Sequence, residues 1–236
     1  MLETLLNILA PHSCVECNTQ GDLICDMCIV QKVKRVPSRC FLCLEPTIDY
    51  KVCSVCRGKT VLDSLYVVSE YNGAVKKLIH AYKYEHKRAA ARSMSSMVCS
   101  LIQPIPNDTK TVIVYVPTAF SHVRERGFDH AKRLALNCST VLGLNIIEAI
   151  ARNEQTVQHG SSRTARLQNA KTAYRLVPYL ADKLYGKHVL LIDDVLTTGA
   201  TLCEVAKLLN EAGVESVCAA VVAQSSPKTK PHSVGL

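Results

Sequence analysis

The 236-residue chain has no tryptophan, three phenylalanines and an aromatic content of only 5%. A surface that holds nucleobases by stacking needs several rings in register, and this composition argues against one. No apolar run reaches the roughly 18 residues that cross a bilayer, so membrane insertion is not expected. The opening MLETLLNILAPHSC carries Glu3 and lacks a basic leader, which makes it a poor export signal and a cytoplasmic protein the expectation. Two phosphate-binding patterns are missing as well. There is no GxxxxGK[ST] loop and no GxGxxG turn, which sets aside P-loop nucleotide hydrolysis and dinucleotide redox chemistry. Acids are outnumbered, 20 Asp and Glu against 28 Lys and Arg for a formal charge of +8, a balance that favours phosphate-bearing partners.

Cysteine is abundant, with twelve residues. Eight fall in four CxxC pairs: Cys14 with Cys17, Cys25 with Cys28, Cys40 with Cys43, and Cys53 with Cys56. Two residues between thiolates let a tight knuckle aim both sulfurs at one metal, and two knuckles complete a tetrahedral four-thiolate zinc site. The gaps suggest that neighbouring pairs combine, as in two consecutive zinc ribbons, although a cross-braced pairing satisfies the same spacing. A disulfide framework would need an oxidising compartment. Closed four-thiolate sites have no open coordination position, so the expected role is folding and docking rather than catalysis. Residues 1–60 therefore read as a zinc-ribbon module. Cys99, Cys138, Cys203 and Cys218 lie singly in apolar segments and read as small buried hydrophobes.

Residues 61–224 alternate between strand and helix patterns. LDSLYVVSEY (62–71), TVIVYVP (111–117), LNIIEAIAR (144–152), KHVLLIDDV (187–195) and SVCAAVVAQ (216–224) read as strands. A helical stretch over 73–103 breaks near 85–87, and further helices cover 129–143 and 199–213. Residues 153–170 form a long polar loop, a functional suspect in a compact domain. Residues 225–236 read as a flexible tail. Strand–helix alternation predicts an α/β fold, a parallel sheet with helices on both faces.

HVLLIDDVLTTGATL (188–202) places two adjacent carboxylates at a strand end, then three Thr, a Gly and an Ala. Small residues let the backbone approach a ligand, and successive N–H groups at a helix start cradle an anion. Asp193 and Asp194 would repel that anion if they faced it. One step away, they can accept hydrogen bonds from vicinal sugar hydroxyls. A ribose 5-phosphate satisfies both halves.

LLIDDVLTTGATL resembles the phosphoribosyl-pyrophosphate (PRPP) signature of type I phosphoribosyltransferases. RERGFDHA (124–131) resembles the RERGFNQA segment of the ComF family of competence-associated proteins, with Asp129 and His130 in place of Asn and Gln. QHGSSRTARLQNA (158–170) is similar to that family's flexible-loop pattern, and AVKKLIHAYKY (74–84) to its lysine-ending helix. The resemblance covers 14 to about 222 and implies a type I phosphoribosyltransferase fold behind Cys-rich ribbons. Asp193 and Asp194 would hold the ribose hydroxyls. Val195, Leu196, Thr197, Thr198, Gly199, Ala200 and Thr201 would bind the 5′-phosphate. Pro117, Thr118 and Ala119, with Arg124 and Arg126, fall where the superfamily holds pyrophosphate, and Gln158, Arg166 and Asn169 would lie on a lid. Mg²⁺ would accompany PRPP, the two arginines assisting the departing diphosphate. His130, in the 129–143 helix, and His159, in the polar loop, are the candidates for a general base, and exposure is the ordinary expectation for each.

A second reading concerns the basic helix. Lys76, Lys77, Lys83, Lys87 and Arg88 face a single acid, Glu85, between residues 76 and 92. They form either a solvated face or a surface for single-stranded DNA. The ComF resemblance also implies a DNA-translocation ATPase as a partner.

Overall fold

The computed structural model of the chain describes residues 12–102, 110–153 and 173–225. Apolar, β-branched runs form β1 (Ser64–Glu70), β2 (Thr111–Tyr115), β3 (Asn145–Ile146), β4 (Ile150–Arg152), β5 (Tyr174–Leu176), β6 (His188–Leu196) and β7 (Ser216–Gln224). The helices are α1 (Asp26–Lys32), α2 (Gly73–Tyr84), α3 (Ala90–Cys99), α4 (Phe120–Arg126), α5 (His130–Leu142), α6 (Pro178–Ala181) and α7 (Ala200–Glu211). The expected break in the 73–103 stretch falls between α2 and α3, where His86 takes a left-handed φ of 54°.

Five strands make one sheet in the order β1-β7-β6-β2-β3, with every pairing parallel. Such a sheet is covered on both faces, which explains why its strands read as continuous apolar runs. Ile113, Leu190, Ile192 and Val222 pack against α2, α3 and α5. Val112, Val114, Val189, Leu191 and Val221 pack on the other face against Leu202, Val205 and Leu209 of α7. No helix among the described residues is long and apolar enough to cross a membrane.

One strand expectation is corrected. Residues 144–152 do not form a single strand: β3 closes the edge of the main sheet, while β4 pairs antiparallel with β5 in a separate ribbon. The chain turns between them where Glu148 meets Lys132 Nζ at 2.6 Å and accepts from the Tyr115 hydroxyl at 3.0 Å. A partner on another element overrides the local apolar run.

The cysteine-rich segment packs directly on this frame. Cys14, Leu23, Ile24, Cys28 and Val33 share a core with α2 and α3. Cys40, Val52 and Cys56 form a smaller cluster, and Phe41 packs against both it and the α7 side of the sheet. The chain runs outward from β2 to β3 in one direction and from β6 to β7 in the other. Direction therefore reverses between β2 and β6. Open α/β sheets bind ligands at such a reversal, beyond the carboxyl ends of the strands.

Candidate functional site

Two connections leave the sheet at that reversal. β2 pairs with β6 as far as Tyr115 opposite Ile192, and the Val116 N–H still donates to the Ile192 carbonyl at 3.0 Å. Residues 116–119 therefore start beside Asp193 and Asp194. β6 continues through both acids to Leu196, whose carbonyl accepts from the Ser225 amide at 2.8 Å. Thr197 and Thr198 are exposed, and Gly199 is the N-cap of α7 with φ 77°. Gly199 offers no side-chain cap, and Thr198 Oγ1 accepts from the Ala200 N–H at 3.3 Å. The first-turn N–H groups beyond Ala200 and the hydroxyls of the exposed Thr197 and Thr198 are the kind of donor set an anion requires.

The acids differ in their partners. Asp194 turns toward α2 and meets Lys83 Nζ at 2.5 Å, the two side chains only 13% and 18% exposed. Asp193 Oδ1 accepts the Asp194 amide N–H at 2.8 Å; among the described residues no cation lies within ion-pair reach of it. Burial and the adjacent Asp194 charge push the Asp193 carboxyl from 3.8 up to about 8. A raised folded pKa means the fold holds this proton more tightly than the unfolded chain does. The resulting stabilisation is complete below about pH 4 and is lost as pH rises through about 8. Asp193→Asn, a mimic of the protonated form, should therefore gain stability on the wild type between about pH 5 and about pH 9 in urea melts. A constant difference across that range would contradict the assignment.

The Lys83–Asp194 pair yields a second expectation. Removing one partner of a buried pair leaves an uncompensated charge and costs about 3–5 kcal/mol, so Lys83→Met should lose close to the lower figure. Adding Asp194→Asn should recover most of that loss. Failure of the double variant to recover would show that Lys83 matters through its packing alone.

The 116–119 connection is held from beneath. Asp129 accepts from the Thr118 amide and hydroxyl, both at 3.0 Å, and also caps α5 through the Lys132 amide at 3.0 Å. Arg124 is exposed on α4. Arg126 is 9% exposed, its guanidinium 5.0 Å from the Tyr84 ring centroid. His130 is the first residue of α5, as the helical pattern over 129–143 predicts, but it is 1% exposed, against the expected exposure. It sits edge-on to Tyr82 at 4.9 Å and 4.4 Å from Phe128, and among the described residues neither ring nitrogen has a hydrogen-bond partner. Burial, then Arg126, lowers its pKa to about 4. This side chain is a neutral part of the core beneath the site. Gln158, His159, Arg166 and Asn169 lie outside the described residues.

The eight ribbon cysteines converge in two groups, Cys14/Cys17/Cys25/Cys28 and Cys40/Cys43/Cys53/Cys56, with the sulfurs of each within 4.8 Å of one another. Neighbouring knuckles combine; the cross-braced alternative is not adopted. Cys17 and Cys25 sulfurs are 3.6 Å apart, as are those of Cys43 and Cys53. That is too long for a disulfide and close to the about 3.8 Å edge of a tetrahedron with zinc–sulfur bonds near 2.3 Å. Four thiolate donors at this spacing fit zinc. Of the remaining cysteines, Cys99 and Cys138 are buried, whereas Cys203 and Cys218 are only partly so.

The basic helix divides. Lys76 points to solvent, Lys77 pairs with Glu16 at 3.0 Å, and Lys87 pairs with Glu85 at 3.0 Å. Arg88 lies 5.1 Å from the Phe128 ring centroid, and Lys83 belongs to the acid pair. Between α2 and the first knuckle runs an open groove of about 650 Å³, lined by Ser13, Asn18, Lys76, Lys77, His80 and Lys87.

Residues 123–235 match the family model of the phosphoribosyl transferase domain, a span that includes β6 and the 196–201 turn. Competence protein F of Haemophilus influenzae is 29% identical over 161 residues, which cover 66% of this chain and 70% of that protein. The DNA utilization protein YhgH of Escherichia coli is 28% identical over 223 residues, covering 77% of this chain and 95% of that one. Over most of its length the chain is similar to these competence and DNA-utilization proteins. Among solved structures, the allosteric regulatory enzyme of purine biosynthesis aligns at a TM-score of 0.40 and 19% identity over 58% of this chain. The chain spans only 25% of that enzyme.

The sequence pattern alone misses two residues of the site. Lys83 reads as part of a charge run, yet it lies one turn beyond buried Ile79 and beside buried Tyr82, at the edge of the apolar stripe, which is the available signal. Phe41 reads as a knuckle residue, and nothing local marks its contact with Gly199.

Proposed function

We propose that this chain binds PRPP with Mg²⁺ and transfers its phosphoribosyl group to an acceptor, releasing pyrophosphate. The observation that carries this reading is the meeting of the acid pair and the threonine-lined start of α7 at the β2–β6 reversal. Residues 1–60 serve as the ribbon module, 61–224 as the transferase domain and 225–236 as a tail. Asp193 and Asp194 accept from the ribose hydroxyls, and the backbone and hydroxyls of 197–201 seat the 5′-phosphate. Val195 and Leu196 set the strand end from which that turn departs. Bond breaking at the anomeric carbon builds positive charge on the sugar and negative charge on the departing diphosphate. Carboxylates near the ring and cations near the leaving group both favour that separation. Lys83, with two ammonium protons left beyond Asp194, joins Arg124 as a cation near the reacting end. Mg²⁺, when bound with the diphosphate, supplies further charge neutralisation. Pro117, Thr118 and Ala119 line the leaving-group side.

A screen of amines and nucleobases with PRPP and Mg²⁺, read by pyrophosphate release, tests this reaction. Acceptor-dependent release that disappears in Asp193→Asn/Asp194→Asn supports it. Tight PRPP binding without release from any acceptor favours a second reading, a non-catalytic component of DNA uptake in the cytoplasm.

That second reading rests on the names of the relatives and on the lysine-lined groove beside α2. There the ribbon would hold single-stranded DNA or dock a translocation ATPase. Salt-dependent retention of single-stranded DNA that is lost in Lys76→Glu/Lys77→Glu would support it.

A further inference from the structure

We propose that Phe41, set between two metal-ligand cysteines, is a positioning residue for the 196–201 turn. Metal in the Cys40/Cys43/Cys53/Cys56 cluster and a sugar phosphate on that turn would thereby strengthen each other's binding. The ligand half of the inference rests on the function proposed above; the structural half does not.

Gly199 is buried at φ 77°, and a Cβ added there would lie 3.5 Å from Leu196 Cδ1 and 3.8 Å from the Phe41 ring. Phe41 therefore covers the one backbone position on which the geometry of the turn depends. It is flanked by Cys40 and Cys43, so the knuckle that encloses the metal also fixes the direction of this ring. Its packing joins Cys40, Val52 and Cys56 on one side to the α7 face of the sheet, with Leu196 and Leu202, on the other. A second contact follows the last ligand: Thr60 Oγ1 lies 3.9 Å from Cys203 Sγ, in the first turn of α7. Thr197 and Thr198, by contrast, are exposed.

An N–H cradle binds an anion well only when its conformation is set beforehand, since ordering the turn on binding opposes affinity. Emptying the knuckle frees Phe41, and freeing Phe41 releases Gly199. Because coupling free energies are reciprocal, an occupied turn must also slow loss of the metal.

The test uses the full chain under reducing conditions, as wild type, Phe41→Leu and Phe41→Ala, with zinc counted by native mass spectrometry. All three should retain two zinc ions. Amides 197–202 should exchange hydrogen about tenfold faster in Phe41→Ala, with Phe41→Leu between, while the interior of β6 and β7 is unchanged. Ribose 5-phosphate affinity should fall by about tenfold in the same order, within the ordinary range of coupling. Zinc release to a chelator should slow with ribose 5-phosphate in the wild type but not in Phe41→Ala. Wild-type exchange in zinc-loaded Phe41→Ala, or in Phe41→Leu should the alanine variant fail to fold, overturns the inference. If the wild type does not bind ribose 5-phosphate, the functional reading fails, and the exchange rates alone decide the role of Phe41.

Discussion

Stripping zinc from both cysteine clusters is expected to lower the melting temperature of the whole chain, not only to unravel its first sixty residues. Zinc binding to a structural site of four thiolates contributes on the order of 10 kcal/mol of folding free energy. A typical domain has only about 5–15 kcal/mol in total. The metal-free knuckles therefore cannot hold their fold. The consequence spreads because Cys14 and Cys28 lie in one core with Val75, Leu78, Met94 and Val98 of α2 and α3. A loss of about 5 kcal/mol passed to that core would move the midpoint by roughly 10–20 °C in a chain of this size. Cys17→Ser should show most of this loss, since its cluster adjoins the larger core. Cys43→Ser should disturb mainly the second knuckle and the Gly199 turn. Thermal melts monitored by circular dichroism, with zinc counted before and after chelation, check both. An unchanged melt after two zinc ions have left would refute the account of the ribbons.

The second large effect concerns the acid pair. Above about pH 8, where Asp193 is ionised, Asp193→Asn/Asp194→Asn should reduce ribose 5-phosphate and PRPP affinity by at least about 100-fold. Hydrogen bonds to charged acceptors contribute about 1.5–3 kcal/mol each, and about 1.4 kcal/mol is tenfold in affinity. Asn preserves shape and volume, so far-ultraviolet circular dichroism should be unchanged. The single variants separate two causes. Asp193 has no cation beside it among the described residues, so Asp193→Asn reports the lost acceptor alone. Asp194→Asn also strands Lys83, and comparison of Lys83→Met/Asp194→Asn with Lys83→Met alone separates the lost acceptor from the stranded charge. Calorimetry with Mg²⁺ and PRPP gives the affinities. Equal affinity for wild type and the double variant would remove the acids from the site.

Much of this was legible in the sequence, for physical reasons that differ by element. The parallel sheet was readable because strands buried on both faces are written as unbroken apolar runs. The cysteine clusters were readable because a knuckle is a local object of four residues; what spacing left open, the pairing of knuckles, required the fold. The acid–threonine segment was readable because strand, turn and helix start are contiguous. The failures share a cause, contacts made across elements. Residues 144–152 look like one strand until Glu148 finds Lys132 and Tyr115. His130 looks like an exposed histidine at a helix start, but α5 turns it against Tyr82 and Phe128. Lys83 looks like part of a basic face, although α2 ends beside Asp194. Asp129, read only as a departure from the family pattern, holds both Thr118 and the start of α5.

The most direct measurement is a crystal structure of the chain soaked with PRPP and Mg²⁺. The account predicts density with the ribose hydroxyls on the Asp193 and Asp194 carboxylates and the 5′-phosphate on the amides and hydroxyls of 197–201. Density for the ligand in the groove beside α2, or an empty β2–β6 crevice at saturating ligand, would contradict it.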